Sequence, residues 1–158
     1  MDNSAKDPEK IQSMFTTIAP RYDLLNRVLS LGIDNSWRKY AVSRLPRNEK
    51  PLFLDVATGT CDVALEIMRQ FPASRVVGVD FSEGMLEFGR EKVKAAGYQD
   101  RIDVRFADVT SLPFEDNTFD ASIIAFGIRN VQDYRKGISE MRRVVKSGGK
   151  VVVLEFTS

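Results

Sequence analysis

The sequence predicts an α/β fold, a doubly wound and mostly parallel sheet, on three observations. An apolar run from Leu52 to Val56 breaks at Thr58, Gly59 and Thr60 and resumes with Val63, Ala64, Ile67, Met68 and Phe71 at helical spacing, which spells strand, tight turn and helix. Asp80 ends a second apolar run about 20 residues further on, where such sheets carry an acid at the end of the second strand. Downstream of Pro51, strand-like and helix-like segments alternate, as a parallel sheet with helices on both faces requires.

Each element follows from its local pattern. Ile11, Met14, Phe15 and Ile18 recur at helical spacing, Pro20 interrupts them, and Leu24, Leu25, Val28 and Leu29 resume before Gly32. Residues 1–48 are therefore expected to form a helical N-terminal segment. A polar stretch bounded by Pro46 and Pro51 separates it from an α/β domain over 49–158. Within that domain the pattern predicts strands at 52–57, 75–80, 102–106, 119–126 and 149–156, with helices at 62–71, 84–96 and 131–146.

Composition narrows the function classes. With 158 residues and 43% apolar content the chain has room for one full core. A net charge of +1 offers no general attraction to nucleic acid, although residues 1–50 hold nine Lys/Arg against six Asp/Glu. A single cysteine rules out an internal disulfide and, with no histidine, leaves no expected metal site. No apolar run approaches the ~20 residues that span a bilayer, and Met1 to Lys10 is polar rather than a signal peptide, so the expected location is cytoplasmic.

Gly59 lets a ligand approach the backbone, but the glycines of a dinucleotide fingerprint are otherwise missing. A pyrophosphate favours helix N-terminal amides with few acids nearby. Here Asp55 and Asp62 flank the turn, Asp80 stands where an acid accepts hydrogen bonds from ribose hydroxyls, and Asp108 follows the third strand. That set suits a nucleoside whose reacting end is cationic, a sulfonium with an α-amino group, as in S-adenosylmethionine. Plainer roles are open: Asp62 as a helix cap and Asp55 as a strand-end acid. The competing class is an NAD-dependent oxidoreductase, disfavoured by the absent glycines and by Asp108.

Three further segments lie in order around this loop. They are Tyr22, Asp23, Leu25, Asn26, Ser30, Gly32, Trp37 and Arg38; the run Phe126 to Val131; and Arg143 to Lys150 followed by Leu154 to Thr157. With them the chain resembles, over nearly its whole length, the ubiquinone/menaquinone biosynthesis C-methyltransferase family within the Rossmann-like class I S-adenosylmethionine-dependent methyltransferases. The resemblance implies methyl transfer from S-adenosylmethionine, leaving S-adenosylhomocysteine and needing no metal, to a ring carbon of a polyprenylated hydroquinone, demethylmenaquinol or the benzoquinol equivalent. It implies cofactor contacts at Thr60, Asp80, Asp108 and Val109, with Asp55 and Gly59 shaping the loop and Tyr22 and Asp23 closing over the cofactor.

A ring carbon becomes nucleophilic once an adjacent quinol hydroxyl loses its proton, so the site must position the ring and stabilise a phenolate. Arg129 can do the second but is a poor proton acceptor, and a water held by Arg129 and Asn130 is the expected relay, with Asp23 the next candidate. The plainer readings are a structural ion pair for Arg129, a cap at 131 for Asn130, and a buried aromatic for Tyr22. Trp37 is expected to pack.

Four positions depart from the family pattern: Cys61 where the loop carries Gly, Asp34 where His is usual, Ser147 where Pro precedes the glycine turn, and Ala125 where a small polar residue is common. Cys61 places a sulfur where backbone approaches the methionine moiety, and fits there if φ is negative. The chain also stops just after the fifth strand, where the family continues with a helix and an antiparallel hairpin. The C-terminal antiparallel hairpin is thus expected to be missing, with an open edge that favours a homodimer. A catalytically idle, cofactor-binding module is the alternative these departures support. A lipid-soluble quinol must be met at the inner face of the membrane, peripherally, through basic residues such as Arg38, Lys39, Arg44 and Arg47.

Overall fold

A computed structural model of the chain describes residues 33–155. Helix α1 (Ile33–Ser43) leads into β1 (Leu52–Val56), α2 (Asp62–Gln70), β2 (Arg75–Asp80), α3 (Glu83–Ala95) and β3 (Ile102–Phe106). A short 3-10 turn (Val109–Ser111), β4 (Phe119–Ala125), a second 3-10 turn (Ile128–Asn130), α4 (Tyr134–Arg143) and β5 (Val145–Leu154) complete the order. Tyr22, Asp23 and the apolar runs expected before Gly32 lie outside the described residues.

The strands form one all-parallel sheet in the order β3-β2-β1-β4-β5. Successive side chains of a strand face opposite sides, and the three central strands are apolar on both. Phe53, Val76 and Ile123 enter a core shared with α1, α2 and α3, while Leu54, Val77 and Ile124 enter a second core with Met141 and Val144 at the end of α4. Helix α1 is held by the first of these: its Ala41 and Val42, and Leu45 just past its end, are buried beside Phe53 and Ile67.

Three details differ from the sequence expectation. The last helix begins at Tyr134 rather than 131, because the Ile128–Asn130 turn intervenes and Asp133 is the cap, accepting the Lys136 N–H at 3.1 Å. Asn130 therefore caps no helix. The last strand begins at Val145, not 149: Val145 pairs with Phe119, the next registered pair is Lys150 with Ala121, and the residues between bulge outward through Gly148 at φ 81°. Trp37, expected to pack, is 48% exposed.

The β3–β4 connection, which carries one wall of the site, is held by Arg143 at the end of α4. Its guanidinium donates to the carbonyls of Leu112 at 3.0 Å and Phe114 at 2.8 Å and pairs with Glu140 at 2.6 Å and Asp116 at 2.8 Å. Planar, multiply donating geometry of this kind is what arginine alone provides.

Candidate cofactor site

A crevice opens at the carboxyl ends of β1, β2 and β4, where the strand order reverses and doubly wound sheets bind ligands. Its lining includes Gly59, Thr60, Asp80, Met85, Phe126 and Asn130. The loop after β1 is built from alternating left-handed residues, Ala57 at φ 53°, Gly59 at 57° and Cys61 at 71°. Gly59 tolerates this freely. A non-glycine residue in that region costs on the order of 1–3 kcal/mol and persists only where surroundings impose it.

The imposing contacts are visible. The Thr58 N–H donates to the Val79 carbonyl at 2.9 Å and the Thr58 hydroxyl to Asp55 Oδ2 at 2.5 Å. The Cys61 N–H donates to the Thr58 carbonyl at 2.9 Å, and Lys92 Nζ reaches both Thr60 Oγ1 at 3.1 Å and Asp62 at 2.6 Å. Asp62 thus opens α2 as its first residue and pairs with Lys92, while the cap position belongs to Cys61 without any side-chain cap bond.

Asp80 is buried at the end of β2 yet faces the crevice. Its Oδ2 accepts the Gly59 N–H at 2.9 Å and its Oδ1 the Ser82 N–H at 3.0 Å. An ionised carboxylate offers about four acceptor sites, so both oxygens retain capacity for a ligand's hydroxyls. Burial raises its pKa against the opposing hydrogen bonds. Asp55 lies beneath the loop and is absent from the lining; burial pushes its carboxyl up to about 7, the Thr58 hydrogen bond opposing.

Asp108 is exposed and caps the 3-10 turn at Val109, accepting from the Thr110 N–H at 2.9 Å and hydroxyl at 2.8 Å. It lines an adjoining groove that shares Phe81, Val109, Asn130 and Val131 with the main crevice. Arg129 is not in either lining; its side chain is 63% exposed and pairs with Glu155 at 3.1 Å. The condition set for Cys61 fails, since its φ is positive, but the sulfur is turned out of the crevice and fully buried against Gly89 of α3. Burial pushes that thiol up to about 12. The feature that would support an idle module therefore does not obstruct the site.

Gly59, Thr60, Asp80, Val109 and Asn130 thus meet in one crevice, Asp108 lies beside it, Asp55 beneath it and Arg129 outside it. Sequence reasoning missed Arg38, Phe81 and Met85 as lining residues. Arg38 was legible in principle, because it precedes Ala41, Val42 and Leu45 on one helical stripe. Among the described lining residues Asp62 and Asp80 outnumber Arg38, which fits a ligand with a cationic end and a carboxylate better than a pyrophosphate. No group of three or more His, Cys, Asp or Glu among the described residues could hold a metal ion.

The architecture is that of class I methyltransferases. The [4+2]-cyclase SpnF superposes with a TM-score of 0.77 at 24% identity, covering 90% of this chain and 59% of its own. Geranyl diphosphate C-methyltransferase from Streptomyces coelicolor A3(2) does so at 0.70 and 23%, covering 75% and 44%. The chain belongs to the ubiE/COQ5 methyltransferase family, whose pattern it matches over residues 3–158. It is 56% identical over 151 residues to the ubiquinone/menaquinone biosynthesis C-methyltransferase UbiE of Geobacter sp. (strain M21), and 49% identical over 156 residues to the demethylmenaquinone methyltransferase of Bacteroides fragilis. These alignments cover 95% and 99% of this chain and 64% of each relative's length.

Two measurements check the site. Asp80→Ala should weaken S-adenosylhomocysteine binding at least tenfold by calorimetry, since hydrogen bonds to a charged group contribute roughly 1.5–3 kcal/mol each. Asp80→Asn, whose amide nitrogen would oppose one of the two backbone N–H donors, should lose affinity as well; equal affinity in both variants and the parent would remove the ribose role. The second concerns pH. A carboxyl whose folded pKa is raised binds its proton more tightly when folded, so its stability contribution is complete below ~pH 4 and is lost as pH rises through about 7. Urea unfolding of Asp55→Asn should show a shallower decline over that window, Asp80 accounting for what persists, and an unchanged slope would refute the assignment.

Proposed function

We propose that this chain is an S-adenosylmethionine-dependent methyltransferase that C-methylates a polyprenylated hydroquinone, demethylmenaquinol or the benzoquinol equivalent, in quinone biosynthesis. The observation that carries the proposal is the crevice in which a buried acid at the end of β2, a glycine turn after β1 and Asn130 after β4 converge. Its family relatives carry names for that chemistry.

When bound, S-adenosylmethionine supplies an electrophilic methyl group on sulfur. The protein's own residues do the rest. Asp80 accepts from the ribose hydroxyls, the Gly59 turn admits the ligand to the backbone, and Asp108 and Val109 border the base. Arg38 supplies a cation for the carboxylate end. Asn130 holds a water at the crevice wall that relays the quinol proton to bulk solvent. Arg129, just outside, would add positive potential for the phenolate on release from its pair with Glu155.

Mass spectrometry of a demethylated short-chain naphthoquinol incubated with methyl-labelled S-adenosylmethionine should show transfer of one methyl to the ring. Asn130→Ala should lower kcat by about 10²-fold or more, the usual range for a lost acid–base step, while S-adenosylhomocysteine affinity holds. Arg129→Ala should lose less, and Arg129→Lys should restore part of the loss. Undiminished turnover in Asn130→Ala would move proton transfer to Asp23 or another group.

The quinol's tail requires contact with a lipid surface, and no helix among the described residues is long and apolar enough to cross a membrane. Arg38 faces the crevice, so we assign surface contact to Lys39, Arg44 and Arg47, which are exposed, as are Trp37 and Tyr40. Removing residues 1–45 would strip Ala41, Val42 and Leu45 from the core, so charge reversal is the cleaner test. Lys39→Glu with Arg44→Glu should abolish a weak, salt-sensitive co-sedimentation with anionic vesicles to which each cation contributes at most ~1 kcal/mol. Identical sedimentation in variant and parent would place the contact elsewhere.

A further inference from the structure

We infer that Phe126 is the platform on which the acceptor ring lies, a specificity residue for the quinol; this rests on the quinol-methylating reading above. The sheet order sets the geography. Asp80, the ribose acceptor, closes β2, and the glycine turn follows β1. A nucleoside extended by a methionine chain and laid from β2 across β1 ends over β4. What β4 presents there is Ala125, Phe126 and Gly127, with Asn130 a turn further on, all in the lining.

Phe126 stands at φ 59°, a left-handed position that glycine or asparagine fills with little strain and a bulky side chain rarely adopts. The sheet imposes it: the Phe126 N–H donates to the Leu154 carbonyl of β5 at 2.8 Å, at the point where β4 gives way to the Ile128–Asn130 turn. Strain of this kind is often offset by core packing, and among the described residues Phe126 stands apart from the two core clusters. Phe126 is a lining residue of the crevice together with the apolar Ala57, Val63, Ala125 and Val131. Backbone strain held in place at the reacting end of a crevice points to a role there. A hydroquinone is a flat π-system that an aromatic face receives in an offset or edge-on arrangement, and the apolar neighbours exclude water from the ring carbon. Phe81, at the β2 end of the same crevice, is too near the ribose position to serve the acceptor.

The test uses the full 158-residue chain, with S-adenosylhomocysteine and a water-soluble short-chain naphthoquinol as probes. Phe126→Gly relieves the backbone, so its Tm should stay within about 4 °C of the parent's. Its affinity for S-adenosylhomocysteine should hold to about twofold while naphthoquinol affinity in the presence of that product falls by about tenfold or more, with Phe126→Tyr restoring most of it and Phe126→Leu little. Naphthoquinol affinity that survives Phe126→Gly overturns the inference, as does a parallel loss of both ligands, which would make the residue merely structural. If the parent binds S-adenosylhomocysteine but no naphthoquinol, the quinol reading itself falls and takes this inference with it. Binding of both by the parent with no loss in Phe126→Gly removes Phe126 alone.

Discussion

The arrangement of the site depends on one buried carboxylate. Asp80 takes the Gly59 N–H on one oxygen and the Ser82 N–H on the other, so a single side chain ties the loop after β1 to the end of β2 and to the start of α3. Leaving those amides unsatisfied in a buried setting would cost more than the bonds contribute, which makes the acid a structural requirement before any ligand arrives. Because both partners donate from the backbone, the carboxylate is oriented by main chain rather than by flexible side chains. Its remaining acceptor capacity is directed into the crevice.

Around that anchor the loop holds conformations that its sequence would not choose. Ala57, Cys61 and Phe126 are left-handed without being glycine or asparagine, and the strand ends and the Lys92 bridge are what hold the neighbouring backbone in place. Preorganisation has a source here: the dipoles and acids around the crevice are fixed by the sheet, so little rearrangement is left for the moment of binding. The end of α4 does the same for the opposite wall, since Arg143 gathers the carbonyls of the β3–β4 connection that a loop of that length would otherwise leave to solvent.

What was legible in the sequence was what local pattern encodes. The five strands are each apolar enough or regular enough to announce themselves, and Asp80 declared its position by spacing from Gly59. Features set by tertiary context were not legible. The start of α4 moved because a 3-10 turn and Asp133 competed with Asn130, and the early start of β5 follows from a bulge that no period-two pattern marks. Arg129 was singled out as a cation able to stabilise a phenolate, but nothing in the local pattern marks where its guanidinium goes, and it pairs with Glu155. Trp37 was expected to pack, whereas the buried residues of α1 are Ala41 and Val42, followed by Leu45 just past its end.

Cys61 carries one more implication. Its sulfur occupies the space left by the missing side chain of Gly89, so positions 61 and 89 form a single packing unit that has to be exchanged as a pair if either is to grow. The same burial makes the thiol chemically silent in the closed loop, because only an exposed thiolate reacts with alkylating reagents. As the chain has no second cysteine, the rate at which such a reagent consumes thiol is a clock for the breathing of the loop itself, and a bound nucleoside that slows the clock reports how much of its affinity is spent on holding that loop shut.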